Sequence, residues 1–303
     1  MYTRIKEFVL KVHFYTLKLN YKLIILFLAI CLISSCVFAY SIVIATSKED
    51  GISLPIIMYH SILKDTNRSN KYVITPATLE NDLEYIYNHG YTTITMSELI
   101  SYVYEDTPLP EKPIIITFDD GYYNNLGYAV PLLKKYNMKA VVSIVGKYTD
   151  TYTASDESNL NYSYLRWKDV KELMDSGVIE FQNHTYNLHS NTGGRIGCSK
   201  KSFESIETYE NILSNDIQKL QQEFEQHVSY IPNTFTYPFG SISKASFPII
   251  KKLGFKASLS CASGINYITK DTDCLYCLKR NNRPSGISSE AYFEKILIKH
   301  SYK

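Results

Sequence analysis

Two adjacent carboxylates and two histidines form the most informative pattern in this sequence. Asp119 and Asp120 directly follow the apolar run "PIIITF", and His184 and His189 follow the run "VIEFQN". Neighbouring carboxylates repel each other and are unfavourable in apolar surroundings unless one of them is neutralised. One carboxylate and two imidazoles bind a divalent metal such as zinc and leave positions open for water and substrate. The pattern therefore indicates a metal site in which the other aspartate acts as a base.

Each of these groups also has an ordinary structural explanation. A "DDG" sequence is commonly a turn or a helix cap, and histidines near strand ends are commonly solvated or hydrogen-bonded. A third histidine, His60, ends the apolar run "PIIMY". Hydrolytic chemistry is favoured only because several such groups are expected at the same end of the fold.

The elements around these residues predict where they meet. Strand and helix patterns alternate in about seven units, which favours a parallel sheet closed as a barrel with helices outside. In such a barrel the chemistry lies at the C-terminal ends of the strands, where the aspartates and histidines fall. We predict helices after the Thr75 cap, from about Asn125 to Asn137 and from about Ser202 to His227. The segment "TYTASDESNLNYSYL" reads as disordered.

An apolar segment without a charge occupies residues 23–45. As a helix it would span about 35 Å, enough to cross a bilayer. Five basic residues and one acidic residue precede it, which predicts a cytoplasmic tail at 1–22 and an extracytoplasmic remainder. We expect a single-pass anchor in the cell membrane, a linker at 46–54 and a catalytic domain at 55–303. A cleaved signal peptide, or lipidation at Cys36, is the alternative.

Composition excludes some classes of function. Hydrophobic residues make up 45% of the chain and charged residues 20%, as in globular proteins. The net charge of +2, with no long basic run beyond residue 22, argues against a nucleic-acid partner. Cys274 and Cys277 could be half of a zinc site, but no second pair follows at suitable spacing. Free thiols or a disulfide are favoured for these residues, and the pairing stays open.

Three motifs together carry a resemblance to a known family. "TFDDG", "NHTYNLH" and "TYPFG" resemble the motifs of the polysaccharide deacetylases of carbohydrate esterase family 4, whose shared unit is the NodB homology domain. The resemblance covers roughly residues 55–300. It implies a distorted (β/α) barrel with seven strands and metal-dependent removal of acetyl groups from sugars. "PIIMYHSI" and the five-residue histidine spacing resemble more narrowly the deacetylases of poly-N-acetylglucosamine.

The resemblance also implies roles for individual residues. Asp119 would be the general base, and the metal ligands would be Asp120, His184 and His189. The backbone N–H of Phe239 would donate to the oxyanion of the tetrahedral intermediate.

This chain departs from the family pattern at two points. Thr236 stands where most members carry an arginine that steadies the base, and Arg280 is our hypothesised substitute. No late Leu-x-His motif is evident, which leaves His60 as the candidate general acid. The alternative is that His60 supports the site or orients the substrate, and that Asp119 itself returns the proton to the leaving amine.

Aromatic residues near the motifs suggest a surface on which sugar rings stack. The candidates are Tyr122, Tyr186 and Tyr237, although 27 tyrosines ensure that several fall near any site. Trp167 fits a packing role as well as a substrate contact. The expected function is zinc-dependent deacetylation of poly-N-acetylglucosamine or peptidoglycan, with the former favoured. A catalytically weakened glycan-binding surface protein and a metal hydrolase of non-sugar amides are the alternatives.

Overall fold

A computed structural model describes residues 25–35 and 51–298 of the chain. Residues 25–35 are helical, and their side chains are exposed. Within the described ranges no helix combines the length and the apolar character that crossing a membrane requires. Most of the predicted span at 23–45 lies outside the described residues, so the anchor stays a prediction.

Residues 51–298 build one α/β unit around a parallel sheet. The strands of this described part are β1 (Ile52–Leu54), β2 (Ile56–Tyr59), β3 (Ser61–Ile62), β4 (Val73–Ile74), β5 (Thr92–Thr93), β6 (Pro113–Asp120), β7 (Ala140–Ile144), β8 (Ile179–Asn183), β9 (Thr234–Thr236), β10 (Ala257–Leu259), β11 (Asn266–Ile268) and β12 (Asn281–Asn282). The helices of the same part are α1 (Pro76–Asn88), α2 (Met96–Glu105), α3 (Val130–Lys135), α4 (Gly146–Ser155), α5 (Trp167–Asp175), α6 (Ile206–Val228), α7 (Ser246–Lys252) and α8 (Ser289–Phe293).

Seven strands form the main path of the sheet in the order β10, β9, β8, β7, β6, β2, β12, and every neighbouring pair is parallel. The short strand β5 pairs with β6 beside this path. The parallel seven-stranded α/β architecture predicted from the sequence is confirmed. All these strands present their C-terminal ends on the same side, so groups at those ends can meet.

The extended segment 278–283 joins the two ends of the sheet. At its start, the N–H of Leu278 donates to the carbonyl of Ser258 on β10, at 2.8 Å. At its end, the N–H of Arg283 donates to the carbonyl of Met58 on β2, at 3.0 Å. The segment therefore closes the sheet into a distorted barrel. We call it the closing segment.

Strand β6 shows how the barrel interior changes along its axis. Ile114, Ile116 and Phe118 pack in the cluster beneath the helices, whereas Ile115 belongs to a second core cluster. Because side chains alternate along a strand, Thr117 and Asp119 lie on the face of Ile115. That face thus turns from apolar to polar towards the C-terminal end of the strand.

Helix boundaries follow their capping residues. The Thr75 side chain accepts the N–H of Thr78 and Pro76 opens α1, as predicted. Helix α6 begins after Ser205, whose hydroxyl accepts the N–H of Thr208, so the predicted start at about Ser202 is too early. The expectation of disorder over residues 151–165 is wrong in part, because residues 151–155 belong to α4. The predicted helix from Asn125 instead opens with a π turn before α3.

Candidate active site

A carboxylate and two imidazoles converge at the strand ends. Asp120, His184 and His189 each offer one ligand atom, and these atoms lie within 4.8 Å of one another. Asp120 Oδ1 is 3.6 Å from His184 Nε2 and 3.1 Å from His189 Nε2. His184 Nδ1 donates to the carbonyl of Thr236 at 2.8 Å, which leaves Nε2 facing the cluster.

This donor set fits a divalent cation. Asp120 Oδ1 is buried and has no well-formed hydrogen bond within residues 51–298. One carboxylate oxygen and two imidazole nitrogens are ligands that zinc prefers, with further positions left open. Burial alone would raise the pKa of Asp120, but the contacts with His184 and His189 outweigh it and hold that pKa well below its ordinary value. The carboxylate is therefore ionised, as metal binding requires.

The backbone is strained at three strand ends around this cluster. Asp120 has φ 70°, Thr185 has φ 75° and Phe239 has φ 57°. Each left-handed non-glycine residue costs about 1–3 kcal/mol, and such strain concentrates at functional sites. The side chain of Asn183 accepts the N–H of Thr185 at 2.9 Å and so supports one of these turns.

Asp119 is paired with Arg280 inside the barrel. Arg280 Nη1 and Nη2 donate to the two carboxylate oxygens of Asp119 at 2.6 and 2.8 Å, and both residues are buried. The guanidinium also donates to Thr117 Oγ1 and to the carbonyl of Ser260. Burial raises the pKa of Asp119, but the charge and hydrogen bonds of Arg280 outweigh it, so this pKa lies below its ordinary value.

His60 lies beside the same carboxylate. Its Nε2 is 4.0 Å from Asp119 Oδ2, and its Nδ1 is buried without a hydrogen-bond partner in the described part of the chain. Asn125 Nδ2 donates to the His60 carbonyl at 2.9 Å, and the ring of Tyr72 lies 4.8 Å from the imidazole. Burial lowers the pKa of His60 more than the charge of Asp119 raises it. The imidazole is therefore neutral at pH 7.

These groups open into one cavity of about 490 Å³. The carboxylates and histidines described above form its floor, and its walls include Lys71, Tyr72, Tyr122 and Phe239. Ligand sites usually measure about 300–1,000 Å³ and combine aromatic walls with a few polar groups. The cavity is therefore of the size and character of a small-molecule or sugar site.

Comparison with known proteins identifies the family. A family model described as polysaccharide deacetylase matches residues 106–258, just over half of the 303 residues. The chain belongs to the polysaccharide deacetylase family. The resemblance found in the sequence motifs is confirmed.

Two relatives of this polysaccharide deacetylase family member carry the name poly-beta-1,6-N-acetyl-D-glucosamine N-deacetylase. The protein of Escherichia coli (strain K12) is 23% identical over 227 residues, which are 69% of this chain and 34% of that protein. The protein of Staphylococcus aureus (strain MSSA476) is 25% identical over 189 residues, 62% of this chain and 61% of that protein. This chain thus spans less than two thirds of either relative's length.

The fold also has a counterpart among solved structures. The Streptococcus pyogenes deacetylase PplD in complex with acetate matches with a TM-score of 0.66 and 21% identity, over 81% of this chain and 99% of that chain. At this identity the likeness shows a shared fold.

The predicted site residues fall mainly in one place. The structure brings together Asp119, Asp120, His184, His189, His60, Arg280, Phe239 and Tyr122. Their positions agree with the roles inferred for this deacetylase family, and the roles themselves stay predictions.

The prediction that Tyr237 binds substrate is wrong. Its ring is fully buried in a core cluster, and its hydroxyl shares a hydrogen bond with Ser246 Oγ at 2.8 Å. The preceding residue, Thr236, contacts Ser143 at 2.7 Å across the sheet. Because side chains alternate along a strand, Tyr237 points away from that side.

Two further aromatic candidates lie outside the cavity. The Tyr186 hydroxyl donates to Asp150 Oδ2 at 2.8 Å, and Lys219 Nζ lies 3.7 Å from the centroid of the Tyr186 ring. Because Tyr186 does not line the cavity, a sugar contact there is not supported. Trp167 is buried and stacks on His227 at 4.8 Å, which assigns it to packing.

Sequence reasoning missed Asp216, in the middle of α6. Its carboxylate accepts the backbone N–H groups of Tyr186 and Asn187, both at 2.8 Å. Both lie in the loop 184–189 that carries the two histidine ligands. Burial raises the pKa of Asp216 to about 6, although the backbone hydrogen bonds act in the opposite direction. The only feature of the sequence that points to Asp216 is its position on α6 next to Ile217, which is buried.

Proposed function

We propose that this family member is a metal-dependent N-deacetylase of N-acetylglucosamine-containing cell-surface polysaccharide. The observation that carries the proposal is the placement of the arginine-paired Asp119 beside the Asp120, His184 and His189 cluster, at the floor of one open cavity. A hydrolase of acetamido groups needs a base, an electrophilic centre and room for the sugar, and this cavity offers all three.

The chemistry divides between the cluster and its neighbours. Asp120, His184 and His189 would hold the divalent cation, zinc in our proposal, which when bound supplies Lewis-acid activation of the acetyl carbonyl. Asp119 is ionised at neutral pH and takes a proton from the attacking water at a carboxylate oxygen. Arg280 fixes that carboxylate by a bidentate pair, so its direction does not change as the proton arrives.

Proton delivery to the leaving nitrogen is assigned to His60. The neutral imidazole lies 4.0 Å from Asp119, close enough to exchange the proton through a small movement or one water. The backbone N–H of Phe239 is our candidate donor to the oxyanion. Tyr122, with Tyr72, supplies aromatic faces for the sugar ring.

The substrate class rests on the named relatives. Both relatives described above are named as deacetylases of poly-beta-1,6-N-acetyl-D-glucosamine, which favours that exopolysaccharide over peptidoglycan for this chain. Because the matches span 34% and 61% of those proteins, peptidoglycan of the cell wall stays in the proposal.

The location is proposed from the N-terminal sequence. The charge-free segment 23–45 and the basic residues before it support a single-pass membrane anchor with an extracytoplasmic catalytic domain. This arrangement would place the cavity where cell-surface glycans are found. No nucleic-acid partner is proposed.

Acetate release tests the proposed function. Poly-N-acetylglucosamine and peptidoglycan are compared side by side, before and after chelation and after zinc is added back. We expect release that chelation abolishes and zinc restores, with Asp119→Asn inactive throughout. Glycan binding without any acetate release would instead support a catalytically weakened glycan-binding protein.

A further inference from the structure

A second cavity adjoins the reaction cavity. It measures about 310 Å³, and Lys71, Ser263 and Asn282 line both this cavity and the reaction cavity, so the two cavities are neighbours. Its far side comes from α8 and the π turn that follows, including Lys295. The volume reaches the lower end of the range for ligand sites. A glycan that reacts in the first cavity can therefore extend into this side cavity.

The side cavity is cationic. Lys71 and Lys295 line it, and none of the described residues that line it is acidic. Neither lysine takes part in an ion pair within residues 51–298. By contrast, many lysines elsewhere on this surface pair with a carboxylate, as Lys135 does with Glu80. Two lysines without acidic partners beside a sugar-sized space favour an anionic occupant.

The local structure holds Lys71 at the junction of the two cavities. Asn282 Nδ2 donates to the Lys71 carbonyl at 2.8 Å, which ties the loop to the closing segment. The ammonium group lies 5.0 Å from the centroid of the Tyr72 ring, and that ring in turn contacts His60. Lys71 is therefore held by two contacts, and it lines both cavities.

We propose that the side cavity binds an oxyanion, a carboxylate or a phosphate, carried by the glycan next to the sugar that is deacetylated. The proposal rests on the proposed deacetylase function and, within it, favours an anionic glycan over the neutral poly-N-acetylglucosamine that the names of the relatives favour. A neutral poly-N-acetylglucosamine chain has no group that uses these charges. A neighbouring sugar that has already been deacetylated carries an ammonium group and is repelled by both lysines.

Charge-neutral variants of the lysines test the proposal. Lys71→Gln, Lys295→Gln and the double variant are compared with Lys134→Gln, an exposed lysine of α3 that lines neither cavity. The substrates are a neutral N-acetylglucosamine pentamer, an oligomer of alternating N-acetylglucosamine and N-acetylmuramic acid with free carboxylates, and a pentamer that carries 6-phosphates. The measured quantity is kcat/KM for acetate release.

We expect the double variant to lose about tenfold more in kcat/KM on an anionic glycan than on the neutral pentamer, because charge-assisted hydrogen bonds are lost. Lys295→Gln, at a residue that lines the side cavity alone, should lower kcat/KM only on the anionic glycans. Lys134→Gln should match the wild type on all three. The anionic glycan on which the lysine variants lose activity, the one with carboxylates or the one with phosphates, identifies the source of the oxyanion. Equal losses on all three glycans, or no loss on either anionic glycan, would overturn the proposal.

Binding separates this inference from the proposed function. If the wild type releases acetate from none of the glycans, the deacetylase proposal fails. Calorimetric titration with the same three glycans then tests anion binding in the side cavity independently of acetate release. Tighter binding of an anionic glycan by the wild type than by the double variant supports the inference, and equal binding refutes it.

Discussion

The substitution Asp216→Asn should weaken metal binding without unfolding the protein. The carboxylate accepts two backbone N–H groups of the loop between His184 and His189. An asparagine side chain can accept one of them but presents its own N–H to the other. Loss of such supporting contacts typically costs 10–100-fold in metal affinity, so we expect the zinc Kd to rise by about 10–100-fold.

The same variant should change how stability depends on pH. The pKa of Asp216 is raised from 3.8 to about 6 by burial, and this difference corresponds to about 3 kcal/mol. Because the folded-state pKa lies above the unfolded value, the folded state binds the proton more tightly. The carboxylate therefore disfavours folding at pH 7, and that cost disappears as the pH falls through about 6 towards 3.8. Asparagine does not titrate, so the variant lacks the stability that the wild type gains as the pH falls. The free energy of unfolding of the variant, relative to that of the wild type, should therefore decrease by up to about 3 kcal/mol between pH 7 and pH 4.

Two measurements check these expectations. Competition with a chromogenic chelator gives the zinc Kd, and urea unfolding of the metal-free protein between pH 4 and pH 7 gives the free energy of unfolding. Glu225→Gln, an exposed position on the same helix, is the control and should match the wild type in both. A zinc Kd within twofold of the wild type, together with parallel pH profiles of stability, would show that Asp216 does not hold the loop.

Four further substitutions test the base, a metal ligand, the buried ion pair and a core residue separately. Arg280→Met should cost about 3–5 kcal/mol in urea unfolding, because it leaves the buried carboxylate of Asp119 unpaired. Asp119→Asn should abolish acetate release while zinc binds with unchanged stoichiometry, whereas His184→Ala should lose the zinc itself, as measured by metal analysis after dialysis. Tyr237→Phe should lower the free energy of unfolding by about 1 kcal/mol through the lost hydrogen bond and leave the KM for glycan unchanged.

The opposite results are equally informative. An Arg280→Met protein as stable as the wild type would mean that Asp119 finds another partner or takes up a proton. Near-normal acetate release by Asp119→Asn would remove it as the base. Zinc retained by His184→Ala would place the cation elsewhere, and a raised KM in Tyr237→Phe would return that tyrosine to the substrate site.

Local sequence was sufficient to predict the floor of the site. Apolar runs that end in Asp119, His60 or His184 place these residues at strand ends, and parallel topology alone brings such ends together. Arg280 required the family pattern as well, because only the missing arginine near Thr236 pointed to a substitute. The geometry of the closing segment explains why a residue so late in the chain reaches the base.

The misses have physical reasons. Helix α4 was overlooked because Tyr and Thr have low helix propensity, and tertiary packing overrode it. Tyr237 was misplaced because a shift of one residue along a strand exchanges the two faces. Asp216 and Lys71 were missed because neither belongs to a sequence motif. They act through contacts between elements far apart in sequence, which no local pattern encodes.

The closing segment also makes a buried ion pair depend on residues that are synthesised late. Asp119 and its arginine are 161 positions apart, and a chain emerges from the ribosome with its earlier half first. Before Arg280 docks, the Asp119 carboxylate has no cationic partner, and a buried charge without a partner is unfavourable, so we expect closure of the barrel to depend on this late residue.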